Sequence, residues 1–160
     1  MVSLRQMTPA EFNVFSEYSV CDYANGLVAS PGIDASTAAE KAWEEFTDML
    51  PNGPDTPGNA LMIIEADCRP VGVIWYLYEV TDGVHHVFLS DFVIAPAERR
   101  KGYAAAALFE MEKDAAIHGC IESRLHVWNG NSAALNLYAK CGYIPLRHTD
   151  DGVYMKKVLK

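Results

Sequence analysis

Apolar residues at helical spacing dominate the first fifty positions. Phe12, Phe15 and Tyr18 recur on one face after Thr8, which is followed by a proline and an acid typical of a helix start. This pattern predicts a first helix from residue 9 to about residue 24. A second helix is expected over residues 38–50, capped by Ser36 or Thr37, with Trp43, Phe46 and Leu50 on its apolar face.

From Asn59 onward the pattern changes to short β-rich runs separated by turn residues. Residues 51–58 are rich in proline, glycine and asparagine and predict a loop. Strands are expected over residues 3–6, 60–66, 71–79, 84–94, 121–128, 143–147 and 153–159, with helices over 102–117 and 131–141. The order predicts an α/β (α+β) fold, a mixed sheet of six to seven strands flanked by about four helices.

Length and composition fit one soluble domain spanning residues 1–160. The formal net charge of −8 argues against a nucleic-acid surface and favours cationic or neutral small partners. The longest apolar run, residues 71–78, is too short to span a bilayer, and no signal-like segment precedes Arg5. The four cysteines have no C-x-x-C spacing, so we expect reduced thiols and a cytoplasmic location.

The stretch from Asp91 to Leu108 combines an apolar strand, a basic loop and an alanine-rich helix. Unbonded amides at the helix start and the helix dipole favour an anion, and Gly102 allows close approach of a ligand to the backbone. Arg99, Arg100 and Lys101 add mobile positive charge. The pattern therefore predicts a phosphate-binding loop; the alternative is a solvated basic loop that caps a surface helix.

Two motifs carry a family resemblance. Arg99-Arg100-Lys101-Gly102-Tyr103-Ala104 resembles the Arg/Gln-x-x-Gly-x-Gly/Ala signature of the GNAT superfamily of N-acetyltransferases. The later segment resembles its second hallmark, Asn-x-x-Ala-x-x-Leu-Tyr-x-x-x-Gly-Phe/Tyr after a strand. Every anchor of that hallmark is present, at Val127, Asn131, Ala134, Leu137, Tyr138, Gly142 and Tyr143. The core motifs thus lie within residues 84–143.

Helical geometry supports the second motif independently. Asn131 occupies a helix start, and Tyr138 follows seven residues later, two turns along the same face, so the two side chains are expected to line one groove. Without the first motif, Asn131 is explained as a plain N-cap and Tyr138 as a core aromatic residue.

The resemblance implies that acetyl-CoA, the co-substrate, lies between the parallel strands of residues 84–94 and 121–128. Its pyrophosphate would contact backbone amides from Arg100 to Ala105, and its pantetheine arm would pair with Phe92 to Ile94. The implied CoA-binding residues are Phe92, Val93, Ile94, Arg99, Arg100, Lys101, Gly102, Tyr103, Ala104, Ala105, Asn131 and Tyr138.

The same resemblance implies direct transfer of an acetyl group to an amine. Tyr138 is the counterpart of the family's general acid, next to the CoA sulfur, and Asp91 is the predicted base. Alternative bases are Ser90, Glu79, His85, His86 and His126. The histidines lack metal-ligand spacing, so no metal is expected, and His85-His86 is expected to be an exposed pair next to a turn.

The sequence therefore predicts an acetyl-CoA-dependent N-acetyltransferase acting on the primary amine of a small molecule or peptide, with no nucleic-acid or membrane partner. The alternative is a CoA-binding regulatory or sensor module of the same fold with little transferase activity. Net negative charge favours a small amine or a polyamine over a protein amine or an aminoglycoside. Many members of the superfamily form homodimers, and no segment of this sequence identifies an interface.

Overall fold

A seven-stranded sheet forms the larger of two compact units in the computed structural model, which describes residues 1–29 and 31–160. The larger unit comprises Met1–Gln6 and Gly58–Lys160, and the smaller comprises Met7–Pro57. The strands are β1 (Val2–Gln6), β2 (Asn59–Ala66), β3 (Arg69–Thr81), β4 (Val84–Ile94), β5 (Glu122–Trp128), β6 (Ile144–His148) and β7 (Gly152–Val158). The α-helices are α1 (Pro9–Val28), α2 (Ala35–Met49), α3 (Tyr103–Ile117) and α4 (Ser132–Lys140).

The strand order is β1-β2-β3-β4-β5-β7-β6, in which β4 and β5 are parallel and the other neighbours antiparallel. Two tight turns fix the register of the central meander. Asp67 and Cys68 join β2 to β3, Asp82 and Gly83 join β3 to β4, and all four have positive φ. Paired positive φ values are typical of the type I′ turn, which matches the twist of antiparallel strands. The mixed sheet predicted from the sequence is confirmed.

The core of the larger unit lies between the sheet and α3. Ala107, Leu108, Met111 and Ala115 of α3 are buried with side chains of the central strands, among them Ile74, Tyr76, Val87, Leu89 and Leu125. Alanines on the inner face keep α3 close to the sheet, and the larger Leu108 and Met111 fill the space between them. The N-terminus of α3 therefore has a fixed position next to the end of β4.

The smaller unit contains α1, α2 and a short 3₁₀ turn at Gly53–Asp55. Thr8 and Glu11 form the predicted cap reciprocally, since each side chain bonds the other's backbone amide. The helix continues to Val28, beyond the predicted end. For α2 the predicted start was wrong, because Asp34 is the N-cap and its Oδ1 accepts a 2.8 Å bond from the Thr37 amide.

The predicted apolar face of α2 is correct only in part. Phe46 and Leu50 are buried, but Trp43 is 46% exposed. The Trp43 ring contacts the Phe46 ring edge-on at 6.2 Å between centroids, so it covers the rim of the apolar face.

Gly72 of β3 permits close contact with the end of β4. A Cβ at this position would lie 2.3 Å from the Val93 carbonyl oxygen. We expect Gly72→Ala to lower the free energy of unfolding by about 1–3 kcal/mol, because a rigid backbone must move. Gly26→Ala in α1, where a Cβ meets no described atom within 4 Å, is the matched control and should be neutral or stabilising. Equal melting temperatures for the two variants in thermal unfolding would contradict this prediction.

Candidate active site

The parallel strands β4 and β5 separate halfway along their length. They pair from His86↔Glu122 to Leu89↔Leu125 and no further. Beyond that point β4 stays paired with β3, and β5 with β7. Ser90 is an extra residue in the β3–β4 register, because Tyr76 pairs with Leu89 while Trp75 pairs with Asp91. Backbone of the distal half of β4, including Phe92, Val93 and Ile94, therefore borders a gap that an extended ligand can enter.

The predicted phosphate loop lies directly after this half-strand. A 3₁₀ turn at Pro96–Glu98 leads to Arg100 with φ 64° and Gly102 with φ 84°, where α3 begins. The first backbone bond of the helix runs from the Ala106 amide to the Gly102 carbonyl. Within residues 1–29 and 31–160, no hydrogen bond engages the amides from Arg100 to Ala105. Six successive free amides at a helix N-terminus suit an oxyanion.

The three basic side chains of the loop differ in their freedom. Arg99 donates through Nε to the Ile94 carbonyl at 3.0 Å, and Lys101 pairs with Glu98 at 3.1 Å. Arg100 alone among the three has neither a side-chain hydrogen bond nor an ion pair within the described chain. The expectation that all three supply mobile charge is therefore wrong for Arg99 and Lys101.

Glu98 holds Lys101 in place. Its carboxylate also binds Arg69 from β3, and the two cations lower the pKa of Glu98 to about 2. The sequence analysis missed both Glu98 and Arg69, which lie 29 positions apart and come together only through strand pairing. The ion pair fastens the 3₁₀ turn to the start of β3.

The second motif forms α4 and its cap. Asn131 Oδ1 accepts a 3.2 Å hydrogen bond from the Ala134 amide, and the residue is exposed, so the N-cap role is present. Tyr138 is only 7% exposed, and its ring packs edge-on against Tyr143 with centroids 5.7 Å apart. Tyr143 is itself held by hydrogen bonds to Ser123 and Glu112. The Tyr138 ring thus belongs to the core.

The hydroxyl of Tyr138 behaves differently from its ring. It has no hydrogen-bond partner among the described residues. Every fully buried side-chain oxygen or nitrogen of those residues does have a partner, so the Tyr138 oxygen is not fully buried. The oxygen therefore retains contact with solvent. Burial is the largest cause that raises the pKa of Tyr138 above the ordinary value of 10, and the negative charges of Asp91 and Cys141 raise it further. The phenol is a proton or hydrogen-bond donor throughout the neutral range.

Asp91 lies on the other face of the sheet from the α3 core. It pairs with Trp75, whose neighbours Ile74 and Tyr76 point into that core. The negative charge of Asp91 is the second cause of the raised pKa of Tyr138, after burial. Asp91 also follows Leu89, the last β4 residue paired with β5, so it lies on the half of β4 that borders the gap.

The remaining candidate bases differ in their burial and in their position on the strands. His86 is 2% exposed, with Nε2 3.2 Å from Glu79 and Nδ1 3.2 Å from the Val84 carbonyl, so the expectation of an exposed histidine pair is wrong for His86. His85 and Ser90 are exposed. His126 is the first residue of β5 beyond its last pair with β4.

A cavity of about 570 Å³ opens beside the gap. Its walls carry aromatic rings and charges of both signs, from Phe88, Leu89, Ser90, His126, Trp128, Arg147, Thr149, Asp150, Asp151 and Tyr154. The sequence analysis missed the cavity residues from β6, β7 and the turn between them, because no motif marks that hairpin. The cavity has the size and mixed polarity of a small-molecule site.

Two further features concern metals and membranes. Within residues 1–29 and 31–160, no cluster of three or more His, Cys, Asp or Glu side chains is arranged to hold a metal ion. None of the described helices has both the length and the apolar character needed to cross a membrane.

Comparison with known proteins places this geometry in a family. A profile of the acetyltransferase (GNAT) family matches residues 29–143. The chain belongs to that family. GNAT acetyltransferases are acyltransferases that use acetyl-CoA as co-substrate, which confirms the resemblance found in the sequence.

Individual relatives extend the match along the chain. The uncharacterised N-acetyltransferase YdgE of Bacillus subtilis is 30% identical over 142 residues, covering 88% of this chain and 90% of YdgE. The crystal structure of YycN, another uncharacterised N-acetyltransferase of B. subtilis, aligns with a TM-score of 0.80 at 29% identity and covers 94% of each chain. The PaiA N-acetyltransferase of Thermoplasma acidophilum, solved with coenzyme A, shares the GNAT fold at 19% identity, with a TM-score of 0.71 and 99% of each chain covered.

Proposed function

We propose that this GNAT acetyltransferase moves the acetyl group of acetyl-CoA directly to the primary amine of a small molecule or peptide. The observation that carries the proposal is the gap beyond the Leu89↔Leu125 pair. Free amides follow the half of β4 that borders the gap, Asp91 lies on that half-strand, and the Asp91 charge contributes to the raised pKa of Tyr138. The proposal treats residues 1–160 as one N-acetyltransferase domain.

In the proposed complex the pyrophosphate of CoA binds the amides from Arg100 to Ala105, and the Arg100 guanidinium adds a charged contact. Arg99 and Lys101 act indirectly, because their bonds to Ile94 and Glu98 hold the loop in shape. The pantetheine arm pairs with the backbone of Phe92, Val93 and Ile94 as an added strand. The exposed amide group of Asn131 contacts the same arm from α4.

The chemical problem is proton transfer from the acceptor. An alkylamine has a pKa of about 10.4, so on the order of one molecule in a thousand is neutral at pH 7, and deprotonation costs about 4–5 kcal/mol. A base on the acceptor side therefore accelerates the reaction, with Asp91 the residue that the sequence favours. The neutral amine attacks the thioester carbonyl, and Tyr138 donates to the sulfur as the tetrahedral intermediate collapses.

Two measurements test the proposal. Calorimetry should detect one acetyl-CoA per chain, and a panel of alkylamines, polyamines, peptide α-amines and aminoglycosides should include acceptors that release CoA thiol and appear acetylated by mass spectrometry. The net charge of −8 leads us to expect faster turnover of cationic amines at low salt than at high salt. Absence of acetyl-CoA binding would refute the proposal, while binding without turnover of any amine would favour a CoA-binding module.

A further inference from the structure

His126 occupies a particular place in the cavity wall. It follows Leu125, the last β5 residue paired with β4, and its cross-strand partner on β7 is Tyr154. Leu125 and its partner Met155 point into the α3 core, so His126 and Tyr154 point to the opposite face. Asp91 lies on this face as well, across the gap. An acceptor in the cavity therefore lies on the face of the sheet that carries His126.

The imidazole of His126 is held rigidly. Its ring centroid is 4.8 Å from that of Trp128 and 4.7 Å from that of Tyr154, and only 13% of the side chain is exposed. Gly152 provides the space for its Nε2 edge, because a Cβ there would lie 2.8 Å from Nε2. A ring packed in this way keeps its orientation in the cavity wall.

The neighbours of Nε2 determine where the ring proton lies. Asp151 Oδ1 and Thr149 Oγ1 are each 3.5 Å from Nε2. The single hydroxyl proton of Thr149 is directed to Asp151 at 2.5 Å or to the Gly152 carbonyl at 3.2 Å. Both oxygens therefore face Nε2 as acceptors, which assigns the proton of the neutral ring to Nε2 and the lone pair to Nδ1. Within the described chain Nδ1 has no hydrogen-bond partner.

We propose that His126 Nδ1 is the base that deprotonates the acceptor amine, with Asp151 and Thr149 as the residues that position it. This inference rests on the proposed acetyltransferase function. An imidazole, ordinarily near 6.5, is about 2.6 pKa units closer to an alkylamine than an aspartate is, so it is the better matched base at neutral pH. The charged or titratable groups that line the cavity with it are Asp150 and Asp151 of the hairpin turn, Arg147 and Tyr154, and Asp91 lies on the same face of the sheet.

The protons balance over the reaction. An ammonium acceptor gives one proton to Nδ1, which passes it to solvent, and the amine lone pair then forms the C–N bond. The second proton leaves the attacked nitrogen for Nδ1 as the carbonyl re-forms and the C–S bond breaks. The electron pair of that bond goes to sulfur, which receives a hydrogen bond or a proton from Tyr138. The second proton then passes from Nδ1 through solvent to the thiolate or to the Tyr138 phenolate, which regenerates both residues. The products are the N-acetyl amine, CoA thiol and one released proton.

The test uses the full chain with acetyl-CoA, and phenethylamine as the probe acceptor because the cavity walls are aromatic. His126→Gln keeps a donor near Thr149 and Asp151 but removes the base. We expect kcat/KM at pH 7 to fall about 100-fold, with loss of the acidic limb of the pH–rate profile and unchanged acetyl-CoA affinity. The control is His148→Gln on β6, which does not line the cavity and should act like the wild type.

Nitrogen NMR of the histidine rings supplies a readout that needs no acceptor. We expect the neutral His126 ring to carry its proton on Nε2, and Asp151→Asn to populate the other tautomer, because an amide can donate to Nε2, with about a tenfold loss of rate. A proton on Nδ1 in the wild type, or a His126→Gln variant with full activity and an intact acidic limb, overturns the assignment. Failure of the wild type to bind acetyl-CoA would instead refute the proposed function. If phenethylamine is not acetylated, the NMR tautomer of His126 tests the assignment: a proton on Nε2 supports it, and a proton on Nδ1 overturns it.

Discussion

Replacement of Gly102 by valine is expected to reduce CoA affinity by at least 10–100-fold. Gly102 has φ 84°, which β-branched residues strongly disfavour, so the loop must rearrange and the row of amides from Arg100 to Ala105 loses its alignment. Losing one or more charge-assisted bonds to the pyrophosphate, each worth about 1.5–3 kcal/mol, accounts for that range. Calorimetry with CoA measures the affinity directly.

Gly119 offers a matched control at the other end of α3. It has φ 82°, and at both glycines a Cβ would meet no described atom within 4 Å. Gly119→Val should therefore impose similar backbone strain and a similar loss of melting temperature, while CoA affinity stays close to the wild-type value. If Gly102→Val binds CoA as tightly as Gly119→Val does, the phosphate-loop assignment is wrong.

Local signals explain why much of the fold could be predicted. Thr8 with Glu11 and Asp82 with Gly83 are short-range patterns whose geometry depends on nearby residues, and they form a helix cap and a tight turn between strands. The proposed phosphate loop is local in the same sense, since Gly102 and the start of α3 are adjacent in sequence. Such features follow from backbone preferences and capping.

The unpredicted parts depend on strand register. His126 meets Tyr154 and Asp151 only because β7 pairs antiparallel with β5, and Arg69 reaches Glu98 only through the pairing of β3 with β4. The extra residue at Ser90, which sets the face of Asp91, depends on the same pairing. Sequence patterns give the faces of each strand but not its register against a distant partner, so the cavity could not be predicted.

The second large effect is expected from Tyr138→Phe, which should lower kcat about 100-fold while CoA affinity stays within twofold. Full proton transfer from a phenol to a thiolate is already uphill by about 2 kcal/mol at ordinary pKa values. Burial and the charge of Asp91 raise the pKa of Tyr138 further, so the hydroxyl stabilises the departing thiolate chiefly by a hydrogen bond. A raised pKa also keeps the phenol protonated, so no alkaline loss of activity below pH 10 should arise from this residue.

A comparison with Tyr76→Phe separates catalysis from stability. The Tyr76 hydroxyl donates to Asp114 at 2.8 Å near the far end of α3, so its removal leaves a half-buried carboxylate with one bond fewer and should lower the melting temperature without changing turnover. Tyr138→Phe should instead lower turnover without lowering the melting temperature, because the Tyr138 hydroxyl has no partner among the described residues. Steady-state kinetics and thermal unfolding of both variants measure the crossed pattern. Unchanged kcat in Tyr138→Phe would show that the phenol is only a core aromatic residue and that the thiolate is stabilised by another group.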